Sequence, residues 1–294
     1  MADQRTGRRE GRRAFRPTLD GTLRLETRVL MAASAIRSQT AAGGQAVVIT
    51  ANDGARYFVS VEFGGTVRAT PASRGRVNLL VDGTNSQSLL EINRITPKQA
   101  RNSAHTFRGQ GTAASRLNIA SVAVSSGAIS AIEGYQTATL SGPIAVGGST
   151  RVDRIALNQI LPGGSIAVSG DLNTLDIYRD VNLDGGSITV GRDLNWFQTY
   201  GDVSIANGSS LSIARDLGQT LQPAKGSGNA GQGLNIAGNL SIAQGGSINI
   251  GRAVPFPSGF VVNGNLTGGT NIIIAGQSLQ GLPFNFAVAG ARNA

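Results

Sequence analysis

The residues of this 294-residue chain best suited to chemistry are Asp176, Asp180, Asp184 and Asp202, four carboxylates gathered around Arg179. Cleaving a glycosidic bond needs such a set, one acid to protonate the leaving oxygen and a second to attack or to activate water. The wider spacing argues against it. Eight acids lie between Asp153 and Asp216, and most recur once per repeat, as turn residues do. The series Asp171, Asp193 and Asp216 marks one such corner, where a carboxylate bonds turn amides. A calcium ladder is the rival reading, but calcium takes six to eight oxygens at one locus, and one acid per corner beside Arg192 or Arg215 does not supply them. The single histidine, His105, stands in Asn102-Ser103-Ala104-His105-Thr106 without a nucleophile elbow and reads as a loop residue. With no cysteine there is no thiol nucleophile, no disulfide and no Cys-ligated zinc. Gly-x-Gly pairs fall at repeat corners and not between a strand and a helix, so no phosphate loop is indicated. The expectation is no enzyme, no catalytic residue, no cofactor and no metal.

One aromatic cluster offers binding chemistry. Alternation turns Phe197 inward over Leu175 and Trp196 outward beside Thr174, with Tyr178 and Tyr200 adjacent. Exposed aromatic faces stack on sugar rings while nearby Asn and Asp bond hydroxyls, so Trp196, Tyr178 and Tyr200 are candidate carbohydrate contacts. The alternative is a Trp196 covered by the Gly/Pro-rich insertion at 222–232.

These residues must be positioned by repeats. Residues 201–215 align without a gap to residues 238–252, as in Gly208-Ser209-Ser210-Leu211-Ser212-Ile213 against Gly245-Gly246-Ser247-Ile248-Asn249-Ile250. Gly185-Gly186-Ser187-Ile188-Thr189-Val190 and Gly163-Gly164-Ser165-Ile166-Ala167-Val168 are further copies. Apolar residues alternate strictly within each copy, the period of half-buried strands, and Gly-Gly or Asn-Gly supplies the corners. Equivalent positions recur at about 22–26 residues once the 222–232 insertion is removed. That length holds two or three short strands, too few for a propeller blade, so one repeat is one coil of a parallel β-solenoid. Stacking coil 171–192 under coil 193–214 sets Leu172 on Leu194, Asn173 on Asn195, Leu175 on Phe197 and Tyr178 on Tyr200. The chain therefore divides into an Arg-rich leader (1–44), an N-terminal β cap or small β-domain (45–114) and the solenoid (115–294). Within the cap, strands are expected at 47–50, 57–63, 67–70, 77–81 and 89–92, and residues 97–104 read as a short helix or loop.

Composition agrees: 41 glycines against 9 prolines, 15% charged and 40% hydrophobic residues suit many short strands around a sizeable core. The net charge of +9 is concentrated upstream of the repeats, with eight Arg against four acids in residues 1–30. The repeats lack the single-signed surface that phosphate backbones require, so nucleic acid is not an expected partner. No segment approaches the ~18 apolar residues of a membrane span. The basic arm is followed by no apolar stretch long enough for an ordinary signal peptide.

Behind that arm, the run Leu25-Glu26-Thr27-Arg28-Val29-Leu30-Met31-Ala32-Ala33 resembles the N-terminal Leu-Glu-x-Arg-x-Leu-Leu motif of planctomycete-type surface and extracellular proteins. Leu25, Glu26, Arg28 and Leu30 match; Met31 replaces the second Leu. The resemblance covers some nine residues and implies export, often with Gly-rich β-repeats following, but no activity. The same residues also fit a short amphipathic helix docking Leu25 and Leu30 on the body. Together these readings point to a non-enzymatic exported cell-surface or extracellular protein, structural or adhesin-like, whose partners are surface polysaccharide or other matrix proteins. The alternative is a carbohydrate-binding or carbohydrate-cleaving β-helix.

Overall fold

The computed structural model describes residues 36–41, 43–95, 115–125, 127–218, 233–252, 259–268, 271–274, 277–278, 285–288 and 292–293. The described chain is all-β, a parallel β-solenoid of about six turns behind an antiparallel cap, with one three-residue 3-10 turn at Ser73–Gly75. The residues of the export-type motif, His105, residues 97–104 and the 222–232 insertion lie outside the described residues.

The cap holds β1 (Arg37–Thr40), β2 (Ala46–Thr50), β3 (Arg56–Glu62), β4 (Thr66–Ala72), β5 (Arg76–Asp82) and β6 (Leu89–Ile95). Strands β1, β2, β3 and β6 pair antiparallel in that order, and β4 with β5 forms a hairpin. β1 lies within the span 1–44 that the sequence reading assigns to the leader. All four of its residues are exposed, so it carries no apolar alternation for a sequence reading to find; it is held by pairing alone, Arg37 opposite Thr50.

Parallel stacking begins inside the cap. β5 pairs with β7 (Leu117–Val124) and β6 with β8 (Ala131–Leu140), so the cap's last two strands template the first coil. Then follow β9 (Pro143–Val146), β10 (Arg151–Ile160) and β11 (Ser165–Val168), and from there each coil has three separate strands. These are β12 (Asp171–Ile177), β13 (Val181–Leu183) and β14 (Ser187–Val190); β15 (Leu194–Thr199), β16 (Val203–Ile205) and β17 (Ser210–Ile213); β18 (Gly233–Ile236), β19 (Leu240–Ile242) and β20 (Ser247–Ile250); and β21 (Gly259–Val262), β22 (Leu266–Thr267) and β23 (Ile272–Ile274). β24 (Gln277–Ser278) folds back antiparallel on β23, while β25 (Asn285–Val288) and β26 (Arg292–Asn293) stack on β21 and β22.

Stacking places like on like. One inward column runs Ile144, Ile166, Ile188, Leu211, Ile248, Ile272, and its neighbour runs Val146, Val168, Val190, Ile213, Ile250, Ile274. Each of these side chains is buried, contributing roughly 1.5–3 kcal/mol only because coils above and below cover it. The corner before that face needs glycine twice over. Gly185 sits at φ +70°, and a Cβ on Gly186 would lie 2.0 Å from the carbonyl oxygen of Gly164 in the coil below.

Candidate functional site

The face carried by β8, β10, β12 and β15 positions the aromatic candidates. In β12 and β15 the register pairs Thr174 with Trp196, Leu175 with Phe197 and Ile177 with Thr199. Leu175 and Phe197 are buried, and Trp196 on the outward side is half-buried. Where β12 and β15 end, the chain turns a three-residue corner to β13 and β16, and the first corner residue is Tyr178 in one coil and Tyr200 in the next. Both are exposed, 38% and 50%. Their rings lie tilted with centroids 6.1 Å apart, so the stacked tyrosines inferred from the repeat are observed.

Residues upstream of the regular coils extend the row. Tyr135 of β8 meets Tyr178 edge-on at 5.1 Å, and Arg154 of β10 sits 5.8 Å from the Tyr135 ring centroid. Arg154 also donates to Asp176 Oδ2 at 2.8 Å and lies 3.7 Å from Glu133. Burial raises the Asp176 carboxyl above the usual aspartate range, against the opposing hydrogen bond and charge of Arg154. Its Oδ1 is buried and without a hydrogen-bond partner among the described residues. Burial likewise pushes the Tyr135 phenol up, reinforced by the Asp176 charge and by Tyr200. The result is a row of three tyrosines, their rings edge-on and tilted to one another, flanked by an ion pair. The exposed rings of Tyr178 and Tyr200 can stack on an apolar ring face. Sequence reading missed Tyr135, Arg154 and Glu133 because β8 and β10 depart from the regular repeat. The 22-residue offset from Arg154 to Asp176 is the signal that would have found the pair.

Of the acid set, Asp180 and Asp202 stack at one corner of adjacent coils, while Asp176 and Asp184 lie elsewhere. Asp180 Oδ1 accepts the amide of Asp202 at 3.1 Å, Asp202 Oδ1 accepts the amide of Asn239 at 2.7 Å, and Asn239 Oδ1 accepts that of Asn265 at 2.9 Å. Each corner carboxylate or amide is thus bonded to the coil above it. Asp184 stands at a different corner, its amide bonded to Asn182, and Asp176 faces Arg154. A second ladder joins Asp171 to the amide of Asp193 and Asp193 to the amide of Asp216, at 3.2 and 3.1 Å. Arg192 and Arg215 lie 3.4 Å from Asp171 and Asp193. Both ladders bond amides as turn capping requires. No group of three metal-ligating side chains occurs among the described residues, and no described helix is long and apolar enough to cross a membrane.

No protein-family model matches this chain, and neither a curated protein nor a solved structure matches it.

Proposed function

We propose that this protein is a non-enzymatic exported repeat scaffold, structural or adhesin-like, working at the cell surface or outside the cell. The observation that carries the reading is where the carboxylates spend their bonding capacity. Asp171, Asp180, Asp193 and Asp202 each accept a backbone amide of the next coil. Acids that bond the next coil in this repeating way serve as turn caps, which accounts for their recurrence without an acid and base flanking one scissile bond. Export rests on Leu25, Glu26, Arg28 and Leu30. Fractionating native cells tests it: the protein is expected in the surface or medium fraction, and replacing those four residues should retain it inside. A cytosolic native protein, or unchanged secretion of the variant, would sink the export reading.

The row of Tyr135, Tyr178 and Tyr200 favours a second reading within the first, a carbohydrate-binding strip that includes Trp196. Affinity electrophoresis in gels containing neutral polysaccharides reads it directly. Retardation of the wild type should be lost in Tyr200→Ala and reduced in Trp196→Ala. Equal mobility of all three proteins in every gel removes the strip as a binding site.

A further inference from the structure

At the end of the cap formed by loop 51–54, the structure collects exposed arginines from separate strands. Arg37 of β1 and Arg56 of β3 stand in register with Thr50 of β2 between them, two strand spacings or about 10 Å apart. Both are exposed on the outer side of the sheet, since the residues that alternate with this row, Ile36, Ile49 and Tyr57, are buried. The hairpin of β4 and β5 brings two more. Val67 donates to the carbonyl of Gly44 at 2.8 Å and the Ser38 hydroxyl to that of Ala69 at 3.1 Å, so β4 runs along β1 toward the loop. The hairpin tip Ser73–Gly75 reaches it: a Cβ on Gly75 would lie 2.6 Å from Nδ2 of Asn52. Arg74 is the middle residue of that tip. Arg76 folds back on it, donating from Nε to the carbonyl of Ser73 at 3.0 Å and from Nη2 to the Ser73 hydroxyl at 2.8 Å.

The Arg74 backbone is strained. It sits at φ +60° and ψ 35°, a left-handed conformation that glycine or asparagine adopts at less cost. Among the described non-glycine residues only Phe63 shares a positive φ. Arg74 is exposed, so burial does not account for an arginine there, and what the strained position carries is its charge. Arg37, Arg56, Arg74 and Arg76 form no ion pair among the described residues, unlike Arg151, Arg154, Arg192, Arg215 and Arg252. The acid of the loop, Asp53, bonds the amide of Ala55 and the hydroxyl of Ser115.

Four like charges around one carboxylate repel one another, and a linear polyanion that displaces their counterions relieves this. We propose that Arg37, Arg56, Arg74 and Arg76 bind an anionic polysaccharide through its carboxylate or sulfate groups. Guanidinium forks match such oxygens. The arginines are spread along a rim, on the sheet's outer face and on the hairpin tip, which suits a chain charged at every unit better than one small ion. Lying on a bilayer takes apolar side chains beside the basic ones, and the exposed large hydrophobics, Phe63, Leu80, Tyr178, Tyr200 and Ile273, belong to other segments. Single-stranded nucleic acid takes exposed aromatic faces for its bases, and none stands among these arginines. The patch is separate from the tyrosine strip, and the choice of a polysaccharide rests on the surface location proposed above.

Isothermal titration calorimetry on the full chain with oligogalacturonate and with dextran sulfate, at about 50 and about 200 mM salt, tests this. Saturable binding of at least one is expected, weaker at the higher salt. Tighter binding of oligogalacturonate would identify carboxylates as the recognised groups, and of dextran sulfate, sulfates; either supports the patch. Arg56→Gln and Arg74→Asn should each weaken binding severalfold and flatten its salt dependence, while Tyr200→Ala changes neither. Arg74→Asn is the sharper probe. It relieves the strained backbone, so it should melt no lower than wild type while binding less well, and Arg74→Lys, which keeps the charge, should retain most of the affinity. Absence of saturable binding overturns the proposal. So does unchanged affinity in both arginine variants, or a loss in Tyr200→Ala equal to theirs. Duplex DNA or phosphatidylglycerol vesicles bound more tightly than either polysaccharide would overturn the choice of partner. Calorimetry and cell fractionation fail separately: binding by a cytosolic protein sinks the export reading alone, and no binding by a surface protein sinks this proposal alone.

Discussion

The cap and the solenoid use the same alternation of aliphatic residues, yet they treat their polar groups differently. In the coils a side chain that bonds the amide above it is copied at the next level, so Asp171, Asp193 and Asp216 form a ladder in which each solution is reused. Translation by one coil makes satisfaction self-propagating. The cap has no such symmetry. Asp53 accepts the amide of Ala55 in its own turn and the hydroxyl of Ser115, contacts that no other level copies, and at the junction Tyr57, Arg94 and Arg116 keep atoms without a partner among the described residues. Repetition lets a satisfied polar contact be copied at the next level, although Asp176, Asn195 and Ser209 in the coils also keep a buried atom without a partner among the described residues.

That contrast can be broken, most severely in the aliphatic columns. Ile188→Asp would bury a carboxylate between Ile166 and Leu211 and should cost several kcal/mol, while Thr189→Asp, exposed between Ala167 and Ser212, should cost no more than about 0.5 kcal/mol. Equal melting temperatures for the pair would show the register to be wrong. Next in size is Asp193→Ala, which leaves the amide of Asp216 unbonded and removes the partner of Arg215. Urea denaturation should register a loss of about 1–3 kcal/mol. Asp53→Ala in the cap, an exposed residue bonding the amide of Ala55 and the hydroxyl of Ser115, should lose about 0.5–1 kcal/mol by the same measurement. If the cap variant lost as much as the ladder variant, copying a polar contact from coil to coil would confer no advantage.

The smallest expected effect is at Asp176. Its folded-state pKa lies above its unfolded value, so folding takes up protons there. The stability this group contributes is full below the ordinary aspartate range and is lost as pH rises through the raised value. At neutral pH the buried charge is a net cost, and Arg154 is 40% exposed and keeps water and Glu133 as partners. Asp176→Asn should therefore melt no lower than wild type at pH 7, within about 0.5 kcal/mol. Any advantage of the variant should shrink as pH falls. A clear loss at pH 7 would mean that the Arg154 pair outweighs its desolvation.

How much was legible follows from these two regions. Strand positions in the cap agree with alternation to within three residues at each end, because buried and exposed residues interleave there as in the coils. β1 was not legible because it buries nothing. Around the tyrosine strip, Tyr178 on Tyr200 followed from the period, but Tyr135 reaches Tyr178 across an intervening coil whose corner is one residue short. No fixed period encodes that contact. Tyr57 reads from the sequence as an ordinary strand residue and Arg94 lies beyond the expected strand 89–92, and only antiparallel pairing puts them side by side.

By itself, the sequence determined the parallel solenoid, its coil length, its inward columns and its amide-bonding corners. Identical coils pack only in register, so a one-dimensional period fixes a three-dimensional contact. Tertiary structure decided what the period does not reach. It stacked the cap's last strands beneath the first coil, joined Arg154 to Asp176 and Tyr135, and set Arg94 opposite the buried Tyr57. These meetings depend on which non-equivalent segments become neighbours, and pairing between unlike strands leaves no repeat in the sequence to announce it.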